Sequence, residues 1–224
     1  MISLLVPTRG RPHNMERFYD SAHSTATRGE FEIIFYIDDD DQPSIDKAAE
    51  LPNVVSAIGP RIVLSECWNR CAEVSLGTIL FHGGDDIVFQ TDGWDDMVEG
   101  TFADSEDKIL FVHGRDGYHD ARFGTHGFIH RRWMDALNYF VPPLFSSDFN
   151  DAWLNDLANA LDRRVYLPDL FTEHRHYVFG KAPHDDTYKE REARGAADNV
   201  LAIYAATADQ RAADVEKLRA VMKP

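Results

Sequence analysis

Residues 78–89 read Thr78-Ile79-Leu80-Phe81-His82-Gly83-Gly84-Asp85-Asp86-Ile87-Val88-Phe89. An apolar run ends in two glycines and two adjacent carboxylates, and apolar residues resume at once. Such a run reads as a buried strand that releases a carboxylate pair at its tip. Hard divalent cations take oxygen ligands, and magnesium keeps one or two carboxylates plus substrate phosphates. Asp85 and Asp86 therefore point to a metal site, and Gly83 and Gly84 would let a ligand approach the backbone closely. The competing reading is a solvated turn, because Asp and Gly are turn residues.

Around this stretch the chain alternates strand and helix. Residues 2–6 are a short apolar strand broken by the Gly/Pro loop Pro7-Thr8-Arg9-Gly10-Arg11-Pro12. A helix is expected over residues 14–27, a strand rich in β-branched and aromatic residues over 31–37, and a short helix over 46–51. A strand over 54–58, a helix over 65–74 and a strand over 78–81 follow. This alternation predicts an α/β fold with a mostly parallel sheet flanked by helices. Ligands of such sheets bind beyond the carboxyl ends of the strands. Three of those ends carry polar loops, at residues 8–11, 38–41 and 83–86.

The second half is less regular. It predicts a strand over 108–113, helices over 128–139 and 151–161, and a strand and loop over 169–177. In the 151–161 helix, Trp153, Leu154, Leu157, Ala158 and Leu161 recur at helical spacing. Residues 186–223 read as an alanine-rich, charged helical tail split near residues 207–209. The expected organisation is a domain over 1–184 and a tail over 185–224 that packs on it or mediates a homodimer.

With 224 residues, 44% of them hydrophobic, the chain can bury a substantial core. No apolar run reaches membrane-spanning length. The first residues enter a strand with no signal-peptide pattern, so a cytoplasmic protein is expected. The formal net charge of −15 opposes general attraction to nucleic acid. Cys67 and Cys71 lie four apart in an expected helix; they read as buried small apolar residues and are too few for a thiolate zinc site. The phosphate loop, dinucleotide fingerprint, nucleophile elbow and C-x-x-C pair are absent from the sequence.

Several side chains are chemical candidates. Asp38 and Asp39, at the end of the second strand, can accept from a base N–H or a ribose hydroxyl, with Asp40 and Asp41 left to solvent. Arg9 and Arg11 suit phosphate oxygens. His174 and His176 are two apart in an extended segment and share a side; imidazole suits manganese better than magnesium. Lys181 can meet a diphosphate. Asp148 and Asp151 precede or open a helix: one is expected as its cap, the other as a general base.

The motifs together resemble GT-A glycosyltransferases, especially the family 2 type. "ISLLVPTRGRP" (2–12) is similar to their opening strand and donor loop, carrying Pro7, Thr8, Arg9 and Arg11. "FEIIFYIDDDD" (31–41) resembles the second strand, whose terminal aspartate contacts the base. "LSECWNRCAEVSLGTILFHGGDDIVF" (64–89) resembles the asparagine-bearing helix, glycine and Asp-x-Asp strand, with Asn69 and Gly77 on matching positions. In that alignment Gly84 stands at the first aspartate, Asp85 in the middle and Asp86 at the metal-binding second aspartate. His174 or His176 would then complete the metal shell. "SSDFNDAWLNDLANALDRR" (146–164) resembles the segment bearing the base, with Asp151 matching best and Asp148 next; "GFIHRRW" (127–133) is similar to the segment closing over the substrates. "GGDDIVFQTDGWDD", "EHRH" and "GKAPHDDTY" also resemble small bacteriophage glycosyltransferases. The resemblance implies a divalent metal (Mn2+ or Mg2+), a UDP-sugar donor, a hydroxyl acceptor (modified DNA base, protein or glycan) and inverting transfer. The departure at Gly84 keeps a non-catalytic nucleotide-sugar or glycan-binding module as the alternative. A nucleotidyltransferase is a further one, although its Gly-rich triphosphate loop is absent.

Overall fold

The computed structural model describes residues 1–223. β-Branched and aromatic residues build β1 (Ile2–Thr8), β2 (Phe31–Asp38) and β3 (Val54–Gly59), and the short apolar run before Gly83 builds β4 (Ile79–His82). The helices between them are α1 (Pro12–Thr25), α2 (Gln42–Glu50) and α3 (Leu64–Val74). β1 lies between β2 and β4, and β3 follows β2, all parallel. The carboxyl ends of β1, β2 and β4 therefore share one edge. α2 begins earlier than the expected residue 46 because Asp41 caps it, accepting from Ser44 N.

The second half departs from a simple parallel sheet. β5 (Ile87–Phe89) and α4 (Trp94–Asp104) lead to β6 (Phe111–Arg115). The expected helix over 128–139 is corrected: Gly127–His130 form a strand, β7, and only Arg131–Leu137 are helical as α5. β7 runs antiparallel between β4 and β6, so Phe128 and Ile129 are buried by sheet neighbours. α6 (Asn150–Ala160) buries Trp153, Leu154, Leu157 and Ala158, the face its spacing predicted. β8 (Arg164–His174) starts before the expected residue 169, pairing parallel with β6 and antiparallel with β5. The full strand order is β3-β2-β1-β4-β7-β6-β8-β5.

Alternation along the central strands feeds two apolar layers. Leu5, Ile34 and Leu80 join Trp68, Trp133 and Trp153 on one face. Leu4, Val6, Phe35 and Phe81 join Phe18 and Trp94 on the other. The tail forms α7 (Asp186–Asp198), α8 (Val200–Ala206) and α9 (Ala208–Val221). Besides the expected break near Thr207 there is another at Asn199, whose φ of 50° is left-handed. Val215 and Leu218 of α9 enter the same layer as Trp133 and Trp153. Cys67 and Cys71 are buried free thiols. Among the described residues no helix is long and apolar enough to cross a membrane.

Gly77, just before β4, sits where a Cβ would lie 2.4 Å from Ser3 Oγ and 2.8 Å from Ser3 N. Its amide also donates to Ser3 Oγ at 2.8 Å. Gly77→Ala is expected to lower stability by about 1–3 kcal/mol, because the clash is partly with backbone. Urea denaturation checks this; an unshifted midpoint would show that β1 and β4 can separate freely there.

Candidate functional site

The shared strand edge opens into a cleft of about 250 Å³. Its centre is the turn after β4. Trp68, on α3, donates from its indole N–H to Gly83 O at 2.9 Å and fixes that turn. Gly83 has no room for a side chain: a Cβ would lie 2.2 Å from the Phe81 ring. At Gly84 an added Cβ would meet, within 3 Å, Asp86 Oδ1 at 2.9 Å.

The two carboxylates that follow take different environments. Asp85 accepts from Thr8 Oγ1 (2.7 Å), Asn14 Nδ2 (3.2 Å) and Arg11 Nη1 (3.3 Å). It therefore faces β1 and α1, and its oxygens are occupied by protein donors. Burial pushes its pKa up; Arg11 opposes this and the Asp86 charge adds to it. Asp86 Oδ2 accepts from Tyr188 Oη at 2.7 Å and lies 3.4 Å from His174 Nε2. Burial alone would raise its pKa, but His174 and the tyrosine bond reverse the effect and hold it far below the usual carboxylate range. Burial opposes charge on His174, and Asp86 outweighs it, so the His174 pKa rises.

Part of this carboxylate–imidazole set matches what a divalent cation requires. His174 Nδ1 is buried without a partner. His174 Nε2 and Asp86 Oδ2 are 3.4 Å apart, close to the spacing of about 3 Å between neighbouring ligands of one small ion. An imidazole and a carboxylate are an N/O donor pair suited to manganese. Asp86 and His174 fit the role, with the remaining positions left to substrate oxygens. His176 fits less well. Its Nδ1 accepts from Val178 N at 3.3 Å, which puts the neutral ring's proton on Nε2. Burial and the His174 charge push its pKa down to about 4. Among the described residues no group of three or more His, Cys, Asp or Glu side chains is assembled as a metal site.

At the β2 end, Asp38 lines the cleft and is buried; Arg9 donates to it at 2.9 Å and Arg61 lies 3.6 Å away. Burial raises its pKa despite both arginines. Asp39 is exposed and lies outside the cleft lining. Asp40 pairs with Arg9. Asp41, expected in solvent, is buried instead; it accepts from Gly10 N at 2.6 Å as well as capping α2.

Across the cleft stands Asp151. Neither it nor Asp148 caps α6, contrary to expectation: the N-cap is Phe149, with no side-chain cap bond. Asp151 lines the cleft, and burial pushes its pKa up to about 6, aided by the Asp148 charge and opposed by the Ala152 N–H. Asp148 also lines the cleft but is more exposed and pairs with Arg191.

Pro7, Thr8, Arg9 and Arg11 line the cleft. Asn69 and Lys181 do not. Asn69 donates to Val141 O (2.9 Å) and accepts from Phe140 N (2.9 Å) and Val141 N (3.1 Å), so its amide clamps the segment after α5. Lys181 turns to Glu173 at 3.0 Å. Sequence reasoning missed Tyr188, Asn14, Arg61 and Arg191. Tyr188 ends the "GKAPHDDTY" run, in which the lysine drew attention; a tyrosine following an acidic pair was the available signal.

No protein-family model matches the chain, and no curated protein matches it. Solved structures do match. The mannosyltransferase PcManGT from Pyrobaculum calidifontis, in complex with GDP-Man and Mn2+, has a TM-score of 0.62 over 78% of this chain and 57% of its own, at 14% identity. TarS of S. aureus has a TM-score of 0.58 over 76% of this chain and 36% of its own, at 14% identity. Glucosyl-3-phosphoglycerate synthase from Mycobacterium tuberculosis, in complex with Mn2+, UDP and glucosyl-3-phosphoglycerate, has a TM-score of 0.61 over 79% and 72%, at 13% identity. The chain thus spans 57% and 36% of the first two. At these identities the likeness shows the fold: the chain has the GT-A fold.

Asn69→Ala separates its scaffold role from the expected ligand role. Losing three bonds to buried backbone is expected to lower stability by about 1–3 kcal/mol. Nucleotide affinity should stay within about twofold, because Asn69 is outside the cleft. Denaturation and calorimetric titration with UDP measure the two; a large affinity loss in a folded variant would return Asn69 to the site.

Proposed function

We propose that the protein is a glycosyltransferase that moves a sugar from a nucleoside diphosphate, UDP in the first instance, to a hydroxyl acceptor with the help of a divalent cation. One observation carries the reading: three chemically distinct stations line one cleft at the strand edge. Asp38 with Arg9 and Arg61 forms the first, Asp86 with His174 the second, and Asp151 the third.

In this reading Asp38 accepts from the base or ribose, and the arginine forks take phosphate oxygens. Asp86 and His174 would hold the cation. When bound, it would offset the charge that builds on the departing diphosphate. Asp151 takes the proton of the acceptor hydroxyl as that oxygen forms its bond to the anomeric carbon and the bond to the diphosphate breaks. The half-buried carboxyl is well suited to this, because a base whose pKa is raised toward neutrality holds a proton more readily. Direct displacement would invert the anomeric centre. His174 orients Asp86.

One observation favours a second reading, a nucleotide-sugar-binding module without turnover. Gly84 offers no carboxylate, and Asp85 is held by three protein donors. UDP binding with no metal-dependent UDP-sugar hydrolysis or transfer would support that module.

Asp86→Asn is expected to abolish the manganese-dependent part of UDP binding, measured by titration with and without the metal. If metal dependence survives intact, the assignment of Asp86 is lost. Asp151→Asn should leave UDP binding in place and reduce transfer about 10²–10⁴-fold; an unchanged rate would pass the base role to Asp148. Because the Asp151 pKa is raised to about 6, the base form is present above that pH. Transfer should fall as pH drops through about 6, and this acidic limb should be missing from the residual activity of Asp151→Asn.

A further inference from the structure

α7 lies across the cleft, and what holds it there is mostly polar. Asp185, its N-cap, grips Arg11 through two bonds of 2.8 and 2.7 Å. Glu190 lies 2.6 Å from Arg61 and 3.8 Å from Arg9. Thr187 Oγ1 donates to Arg9 O at 2.8 Å. Tyr188 places its ring 3.9 Å from the Arg11 guanidinium and bonds Asp86. On the opposite rim Arg191 pairs with Asp148, and Arg194 donates to the carbonyls of Ile62 and Ser146. Within the helix only Tyr188 and Gly195 are buried.

These contacts occupy the cations that a diphosphate would use. Arg11 is 6% exposed, with Asp85 and Asp185 on its edges and Tyr188 on its face. No phosphate oxygen can take that guanidinium while α7 is seated. Two carboxylates, Asp185 and Glu190, are set against these arginines where phosphate oxygens would sit, while α7 also brings Arg191 and Arg194 to the cleft lining. Ion pairs that are partly solvated are individually weak, whereas arginine forks bind phosphate strongly. A helix with so few buried apolar residues belongs to the low-stability end of a fold. Both flanks carry left-handed residues at which the chain turns, Gly180 (φ 69°) and Asn199 (φ 50°).

We infer that Asp185 and Glu190 are built-in competitors of the donor. They hold Arg11 and Arg61 while the cleft is empty, and an incoming nucleoside diphosphate displaces them and unseats α7. The exchange also releases Asp86 from Tyr188, so phosphate binding and exposure of the metal-binding carboxylate are one event. This inference rests on reading the cleft as a nucleotide-sugar site.

The test is calorimetric titration of the full chain with UDP and, separately, GDP in the presence of Mn2+. Asp185→Asn with Glu190→Gln should bind the nucleotide about tenfold more tightly than wild type, since competing charges are removed and no ligand contact is lost. Glu190→Gln alone, which keeps the α7 cap, should tighten binding about threefold. In the wild type, saturating UDP should speed hydrogen exchange of the α7 amides. Folded variants that bind no more tightly than a nucleotide-binding wild type overturn the competition and leave the site reading standing. Failure of wild type and variants alike to bind either nucleotide overturns both.

Discussion

Two adjacent carboxylates are buried at the end of β4, and the rest of the site is arranged around that constraint. Like charges at neighbouring positions raise each other's pKa, and burial compounds the effect. The turn fixed by Trp68 and Gly83 lets the pair diverge. Asp85 is satisfied from β1 and α1 by Thr8, Arg11 and Asn14. Asp86 is satisfied from β8 and α7 by His174 and Tyr188. Each carboxylate thus secures one half of the molecule: Asp85 locks the loop that carries the arginines, and Asp86 anchors the end of the sheet and the returning tail. The apparent symmetry of the Asp-Asp pair conceals two different partner sets, one drawn from β1 and α1 and the other from β8 and α7.

The first half of the fold was legible because its strands are short apolar runs closed by Gly, Pro and Asp, and periodicity records that directly. β7 was not. Its four residues run straight into α5, and a buried helix start and a central strand have the same composition over so short a span. The site shows a similar division. Arg9, Arg11, Asp38 and Asp86 stand out by residue type at strand ends, and Asp151 and His174 by residue type at a helix start and in an extended segment together with the family resemblance; all six line the cleft. Asp39 at the strand end, Lys181 in the 180–188 run and Asn69, which only the family resemblance singles out, lie outside the cleft lining, since residue type and motif say what a side chain can bind and not where it points. Tyr188 lay beyond that logic: α7 returns to α1 across 174 residues of sequence, where Asp185 meets Arg11.

The cleft also departs from the electrostatics of the whole chain. The formal charge is −15, yet Arg9, Arg11, Arg61, Arg191 and Arg194 line the cleft beside Asp38, Asp85, Asp86, Asp148 and Asp151. Cationic and anionic groups there are matched, while the excess carboxylates lie outside. A small anion meets a locally neutral recess, and a long polyanion meets the repulsion of the wider surface.

The place of β8 has a consequence for how the chain acquires its chemistry. β1, β2, β3 and β4 pair among themselves, and all their residues precede position 83. Asp86, by contrast, gains its imidazole only when β8 docks on β5, pairing Ile87 with His174. During synthesis from the N-terminus, the strand edge can therefore form long before the residues that complete it have left the ribosome. Until they arrive, two carboxylates sit side by side with half their partners missing. The last segments to be synthesised thus supply the imidazole and the phenol that Asp86 meets in the finished fold.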